Sequence, residues 1–408
     1  MTPDAAAAVS LLNAEAVRAR AHRLLAQAIA DELPHFRVDL AALDGAADLV
    51  LDITRETYPS LQVPFHSRWR HFTLRGEDRW AALDRTTPWK DAEERARAAF
   101  DLAIVSVLLD AGAGPTWRYR DRRGDLIARS EGLAIASLDM FAAGAFSSDP
   151  KSPLRADALT SLTNEALARG FQVSETNPLI GIAARADLLR RLGASVAANP
   201  QIFGLKDLPR PGGLFDYLRS RAVDGRLAAT TILADLLVHL GPIWPSRLSL
   251  GGIPLGDCWR HPAMRTTDAT TELVPLHKLS QWLAYSLIEP LQDFGIVVTA
   301  IDGLTGLAEY RNGGLFIDSG VLTLRDPTDL QRAHDVASPL VVEWRALTVA
   351  LLDKIAGLVR ERLHVDPASF PLARILQGGT WAAGRRLAQR RRADAAPPLR
   401  VVSDATVF

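Results

Sequence analysis

The sequence predicts a mostly α-helical fold, built as a large helical domain with a cleft and a minor β hairpin. Apolar residues recur at helical spacing through most of the chain; in residues 14–33, for example, Val17, Leu24 and Leu25 share one face. Stretches that alternate between apolar and polar residues are few and short. With 408 residues the chain can bury a large core, and we find neither a repeat of fixed period nor a long low-complexity linker.

The elements of the N-terminal half follow from these patterns and from their start and stop residues. After the helix in 14–33, a helix is predicted from Asp39 to Thr57, before Pro59. Another begins with Thr87 as its N-cap and ends at Gly112. Alternation around Arg123-Gly124 predicts a hairpin between 117 and 129. Further helices are predicted at 130–143, 155–169, 178–192 (ended by Gly193), 214–221 and 227–240.

The C-terminal half begins with residues 241–271, which are rich in Gly and Pro and predict a long ordered loop of functional importance. Beyond it we expect a helix at 276–293, a strand at 296–301, a helix from Ser338-Pro339 to Leu363 and a last helix at 370–392. The predicted domain division is a flexible N-terminus (1–13), a single helical domain (14–392), for which two lobes are an alternative, and a tail (393–408).

Composition excludes several classes of protein. Lys plus Arg equals Asp plus Glu at 47 each, so no net charge attracts nucleic acid or an anionic membrane. The one cysteine, Cys258, cannot form an internal disulfide, and this low cysteine content is typical of a reducing compartment. Neither a signal peptide nor a membrane-spanning segment is recognisable. We therefore expect a soluble, cytoplasmic protein with no nucleic-acid or membrane partner.

Several standard catalytic motifs are missing from the sequence. It contains no phosphate-binding Gly-x-x-x-x-Gly-Lys-Ser/Thr loop, no His-Glu-x-x-His and no Gly-x-Ser-x-Gly, and no Gly-x-Gly-x-x-Gly follows a strand. His66 and His71 could share a metal with a carboxylate, but structural or substrate-contacting roles are favoured. Cys258, three residues before His261, could be a nucleophile, although inert packing is favoured. We predict neither a metal nor a cofactor.

The first of three polar and aromatic segments covers residues 64–72. It places His66, Arg68, Trp69 and His71 close together in sequence. Buried donors of this kind need partners, so the mixture suits stacking on a planar ligand and binding of an anionic group. A capped loop between helices, anchored by the tryptophan, is the alternative.

The second segment covers residues 275–285. Lys278, Gln281, Trp282 and Tyr285 are spaced by three, four and seven residues, which puts them on one helical face. Such a face is suited to lining a polar pocket. An amphipathic surface helix is the alternative.

The third segment covers residues 303–318 and is rich in glycine. Its candidate ligand-binding residues are Glu309, Tyr310, Arg311, Asn312 and Asp318, and the glycines on both sides would allow close approach of a ligand. Downstream, Glu343 and Arg345 open a helix, where Glu suits the helix dipole or a sugar diol. A glycine turn with a surface ion pair is the alternative.

These segments resemble the uracil-catabolism protein four family. The resemblance is carried by residues 65–72, 275–282, 310–318 and 343–348, in order, and extends from about Val17 to Gly384. The resemblance implies a place in pyrimidine degradation and favours an enzyme over a binding module.

Parts of the chain are also similar to the queuosine-salvage N-glycosylases, which are related to the helical DNA glycosylases. Their Asp-Tyr-Arg matches Glu309-Tyr310-Arg311, their Lys-x-x-Gln matches Lys278 and Gln281, and their Glu-x-Arg-Ala matches residues 343–346. Glu replaces Asp at the first position, which keeps the charge and lengthens the side chain by one methylene.

This second similarity implies cleavage of an N-glycosidic bond. Glu309 would stabilise positive charge at the anomeric carbon or activate water, and Lys278 would orient Glu309 or protonate the leaving nitrogen. The expected small-molecule substrate is ribosylurea or its 5′-phosphate, with Arg68 and Arg70 holding a phosphate. A ureido amidohydrolase of the same pathway and a non-catalytic uracil-nucleotide-binding protein remain alternatives, and a DNA glycosylase is the least favoured.

Overall fold

A computed structural model describes residues 1–204, 208–244 and 248–402. Helices account for 55% of it and strands for 10%, with small sheets only. The predicted fold class, mostly α with minor hairpins, is therefore confirmed.

The helices occupy both halves of the chain. In order, the described residues form α1 (Pro3–Ser10), α2 (Ala14–Ile29), α3 (Leu43–Thr57), α4 (Arg79–Thr86), α5 (Ala92–Leu108), α6 (Arg129–Ala142), α7 (Asn164–Gly170), α8 (Ile182–Ala198), α9 (Pro200–Phe203), α10 (Leu214–Ser220), α11 (Ala229–His239), α12 (Lys278–Phe294), α13 (Tyr310–Asp318), α14 (Pro339–Leu363), α15 (Leu372–Ile375) and α16 (Trp381–Arg391).

The strands form short two-stranded ladders. Five antiparallel pairs join β1 (Phe36–Val38) to β12 (Leu322–Leu324), β2 (Thr73–Leu74) to β3 (Glu77–Asp78), β4 (Tyr119–Arg120) to β5 (Leu126–Ile127), β7 (Ser249–Leu250) to β8 (Ile253–Pro254) and β9 (Cys258–Arg260) to β10 (Leu273–Pro275). Two parallel pairs join β6 (Arg226–Ala228) to β11 (Val297–Thr299) and β13 (Ala333–Asp335) to β14 (Arg400–Val402). The predicted hairpin around Arg123-Gly124 is the β4–β5 pair.

The described residues divide into two compact units. The first contains residues 1–66 with the described parts of 246–281 and 300–403, and the second contains 67–245 and 282–299. In the first unit, α14 is buried on all sides from Leu340 to Leu352, which is typical of a helix at the centre of a core. It packs against α2, α3 and α13. Ser338 caps it and Pro339 occupies its first turn, as predicted.

In the second unit, α5 is buried continuously from Ala98 to Leu108. Another feature of this unit is Pro290, which lies inside α12. Proline has no N–H, so the carbonyl of Ser286 four residues earlier loses its helical donor. The indole Nε1 of Trp69 donates to that carbonyl at 2.7 Å. Trp69, in the first predicted segment, is thus held by the carbonyl that Pro290 leaves without a helical hydrogen bond.

The predicted start of α5 was wrong. Thr87 is the C-cap of α4, and its Oγ1 donates back to the carbonyl of Leu83 at 2.8 Å. Asp91 is the N-cap of α5, because its carboxylate accepts the N–H of Glu94 at 2.7 Å. The helix therefore begins after Asp91, whose carboxylate caps it, and not after Thr87.

The predicted end at Gly193 was also wrong, since α8 continues to Ala198. A Cβ at Gly193 would lie 2.8 Å from the backbone nitrogen of Thr160, so this glycine permits close helix packing instead of ending the helix. Two other predicted helices differ in detail. Within 155–169 only the short turn Leu159–Ser161 and residues 164–169 of α7 are helical. The last helix is interrupted by a π-helical segment at Leu376–Thr380.

The two chain ends contain regular structure within the described residues. Thr2 caps α1, and Ala5 and Ala8 of that helix are buried, although 1–13 were expected to be flexible. The predicted tail contributes β14, and its residues 403–408 lie outside the described part of the chain. The division into domains stays a prediction.

Candidate functional site

Glu309 is the N-cap of α13. Its two carboxylate oxygens accept the backbone N–H groups of Arg311 at 2.7 Å and Asn312 at 2.5 Å. This is ordinary N-cap geometry, except that the cap is a glutamate with only 9% of its surface exposed. The carboxylate is therefore held rigidly, at the positive end of the helix dipole.

Lys278, the first residue of α12, is half-buried and interacts electrostatically with Glu309. Burial raises the pKa of the Glu309 carboxyl above its usual value. The two backbone N–H groups and the charge of Lys278 act in the opposite direction. Thus the first unit brings together the two residues predicted to be catalytic, and their charges are coupled.

A buried ion pair links the backbone near these two residues. Arg345 donates two hydrogen bonds of 2.8 Å to Asp257, and its Nε donates to the carbonyl of Ala308 at 3.2 Å. The same carboxylate accepts the N–H of Lys278 at 2.9 Å. Asp257 and Arg345 thus connect the start of α12 to the residue before Glu309. The charge of Arg345 holds the pKa of Asp257 well below its usual range, despite burial.

Sequence reasoning missed Asp257 as an individual residue. It lies in the stretch 241–271, which was predicted to be an important loop. Nothing in its neighbourhood distinguishes it, because its partner Arg345 is 88 residues away. The only available signal was a carboxylate inside an aperiodic segment rich in Gly and Pro.

Gln281 supports the loop that leads to Glu309. Its carbonyl oxygen accepts the N–H of Thr305 at 3.0 Å, and its amide nitrogen donates to the Thr305 hydroxyl. From α2, Arg18 donates to the carbonyls of Asp302, Gly303 and Leu304 at 3.2, 3.1 and 2.8 Å. Gln281 was predicted to bind substrate, and in the structure both ends of its amide are engaged in holding this loop.

The residues after Glu309 have several contacts of their own. The guanidinium of Arg311 lies over the ring of Tyr310, 5.2 Å from its centroid, and donates to the carbonyl of Ala395 at 2.9 Å. The amide nitrogen of Asn312 donates to the carbonyl of Leu307 at 3.3 Å. The Oδ1 atom of Asn312 is buried and accepts no hydrogen bond within the described residues.

One of the glycines beside Glu309, Gly313, lies against the neighbouring helix α14. A Cβ at Gly313 would lie 2.6 Å from the indole ring of Trp344, whose Nε1 donates to the Gly313 carbonyl at 3.1 Å. Glycine here permits α13 to pack against α14. Close approach of a ligand is not needed to explain it.

Three predicted binding residues of the first unit have other contacts. Asp318 lies at the far end of α13, where both oxygens pair with Arg392. Fully buried Glu343 accepts the N–H of Phe36 at 2.8 Å and contacts His261 at 3.2 Å. Half-buried His66 contacts the side chain of Gln377 at 3.0 Å. The polar groups of these three residues are thus bonded to other residues of the same unit.

The remaining predicted residues belong to the second unit. Arg68 is fully buried, pairs with Asp110 at 3.2 Å and donates to Ser106 at 2.7 Å. Its guanidinium lies 5.5 Å from the ring of Trp282, and the ring of His71 lies 5.6 Å from the same indole. Trp69 is held by Ser286, as described above. A phosphate contact of Arg68 is not favoured by this geometry, because its charge is already neutralised.

Three further predictions from the sequence concern Cys258, a possible metal site and membrane-spanning helices. Cys258 is buried, and burial raises the pKa of its thiol to about 12, which disfavours the nucleophilic thiolate. In the described part of the chain, no three His, Cys, Asp or Glu side chains are grouped as metal ligands. No helix there has both the length and the apolar character needed to cross a bilayer.

Comparison with known proteins places the chain in a family. Residues 10–408 match the family model described as a protein of unknown function, DUF1688. Protein urg3 of Schizosaccharomyces pombe is 38% identical over 410 residues, covering 98% of each chain. Uracil catabolism protein 4 of Lachancea kluyveri is 38% identical over 411 residues, covering 92% of each chain. The chain thus belongs to the DUF1688 family.

Proposed function

We propose that this protein acts in uracil catabolism as an N-ribosidase. The reaction is hydrolysis of the bond between the anomeric carbon and the urea nitrogen of ribosylurea, or of its 5′-phosphate. Water adds to the anomeric carbon, and the leaving nitrogen takes up a proton, so that the products are urea and ribose or ribose phosphate. The name of the Lachancea kluyveri relative supports the pathway, and it is consistent with an enzyme acting on a small molecule.

The observation that carries the chemistry is the buried carboxylate of Glu309 coupled to Lys278. Breaking an N-glycosidic bond places positive charge on the sugar ring, which a fixed carboxylate in a poorly solvated site stabilises. A lysine ammonium is suited to donating a proton to the leaving nitrogen. Asp257 and Arg345 would hold Glu309 and Lys278 in fixed positions relative to each other.

The proposal is tested by identifying products. Purified protein is incubated with ribosylurea and separately with its 5′-phosphate, with and without a chelator, and urea and ammonia are both quantified. We expect one urea for each substrate consumed, no ammonia, and no loss on chelation. Release of ammonia would contradict the proposal in favour of an amidohydrolase, and tight binding of uracil nucleotides without turnover would favour a binding protein.

A further inference from the structure

The second unit contains a cleft that lies outside the Glu309 and Lys278 chemistry proposed above. Its walls include the indoles of Trp69 and Trp80, whose ring centroids lie 5.5 Å apart. Both tryptophans are more than 90% buried, and Trp69 is fixed by its hydrogen bond to Ser286. The aromatic wall is therefore formed before any ligand arrives.

The charged groups of the cleft do not balance. Four carboxylates and two guanidinium groups line it: Asp78, Asp84, Glu289, Asp293, Arg70 and Arg95. Ionised side chains would thus leave two surplus negative charges, four minus two. Arg70 pairs closely with Glu289, and Arg95 makes two hydrogen bonds of 2.8 Å to Asp84.

Asp293 has only a weak share of this positive charge. Its carboxylate lies 3.7 Å from Arg95, whose guanidinium is already engaged by Asp84. Glu289 and Asp293 are four residues apart on α12 and therefore face the same side. Burial raises the pKa of the Glu289 carboxyl, a penalty that a nearby cation would offset.

We infer that this cleft binds a small organic cation with a flat face, of the guanidinium or amidinium class. Surplus carboxylate charge supplies the attraction, and the parts of Trp69 and Trp80 that line the cleft supply an aromatic contact for a planar cation. An anion is disfavoured because both arginines are neutralised. The inference concerns residues of the second unit alone and does not depend on the N-ribosidase proposal.

The probe is methylguanidinium, with methylurea as its neutral isostere and inorganic phosphate as the anion. Binding to the full chain is measured by saturation-transfer NMR and calorimetry. The test variant is Asp293→Asn, whose exposed side chain can change without unfolding the protein. Glu175→Gln, an equally charge-removing change at an exposed loop position outside the cleft, is the control.

We expect methylguanidinium to bind, methylurea and phosphate to bind at least fivefold more weakly, and Asp293→Asn to weaken methylguanidinium about fivefold, the scale of one exposed ion pair. Glu175→Gln should leave the affinity unchanged. Equal binding of methylurea, preferential binding of phosphate, absence of methylguanidinium binding, or equal effects of the two variants would each overturn the inference.

Discussion

At the scale of single residues, the chemistry depends on how Glu309 is charged. A carboxylate that both caps a helix and lies in a buried position experiences two opposed effects, desolvation and hydrogen bonding. Here desolvation prevails, so the pKa of Glu309 is raised. As the pH falls, an enzyme that needs this group ionised should therefore begin to lose activity at a higher pH than it would with an ordinary glutamate.

Lys278→Gln tests that coupling. The ammonium of Lys278 favours the ionised form of Glu309, so removing it should raise the pKa of Glu309 further. We expect the acidic limb of the pH–kcat/KM profile to move to higher pH, and turnover at neutral pH to fall about a hundredfold as the proton donor is lost. The profile is measured by urea release. An unchanged acidic limb would contradict the coupling.

Asp257→Asn tests the ion pair with Arg345. Removing one partner leaves the buried guanidinium of Arg345 without its carboxylate, which costs about 3 kcal/mol of unfolding free energy. The control is Asp44→Asn, whose pair with Arg362 is exposed and is worth less than about 1 kcal/mol. Denaturant titrations compare the two. Equal small losses would show that the Asp257 pair is not structurally important.

At the scale of elements, α8 and α14 show that glycine has more than one use inside a helix. Gly193 lies against the backbone of Thr160, whereas at Gly357 in α14 a Cβ would meet no neighbouring atom within 4 Å. Glycine thus permits close packing in α8, whereas in α14 it only lowers the intrinsic stability of the helix.

Gly193→Ala should therefore destabilise the protein, by about 1–3 kcal/mol, because the added methyl group overpacks a contact with backbone. Gly357→Ala is the matched control and should stabilise by up to about 1 kcal/mol, the difference in helix propensity. Thermal unfolding of both variants gives the comparison. A stabilising effect of Gly193→Ala would mean that the close approach to Thr160 relaxes easily.

The elements also show what sequence can and cannot predict. Ser338-Pro339 gave the start of α14 because cap, proline and apolar run occur together. The start of α5 was misplaced because Thr87 and Asp91 are both plausible N-caps. The choice between them depends on Thr87 already ending α4, where its hydroxyl donates to Leu83. Gly193 was misread since its contact with Thr160 is tertiary.

At the scale of the whole molecule, the chain alternates between its two compact units. Residues near 66 and 281 mark changes from the first unit to the second, and 299 marks a return. The boundaries near 66 and 281 run through the first and second predicted segments, so their residues are assigned to units one by one. Lys278 and Glu309 belong to the first, whereas Arg68, Trp69, His71 and Trp282 belong to the second.

This division explains how much of the site could be predicted. The motifs that predict Lys278, Gln281 and Glu309 as site residues are local in sequence, and their roles stay predictions. The first unit joins Gln281 to Thr305 and Lys278 to Asp257. Two other residues of the matched segments, Asp318 and Glu343, have internal partners in the structure. Long-range pairing is not encoded in spacing along a single sequence.

The most direct test of the central claim is single-turnover urea release from ribosylurea by wild-type protein and by Glu309→Gln. The isosteric change removes the charge and leaves one side-chain oxygen, in place of two, to accept a helix N–H. We expect at least a thousandfold slower release, consistent with loss of a preorganised electrostatic group. Glu361→Gln, at an exposed position in α14, is the control and should release urea at the wild-type rate. Release by Glu309→Gln at that same rate would contradict the assignment of Glu309.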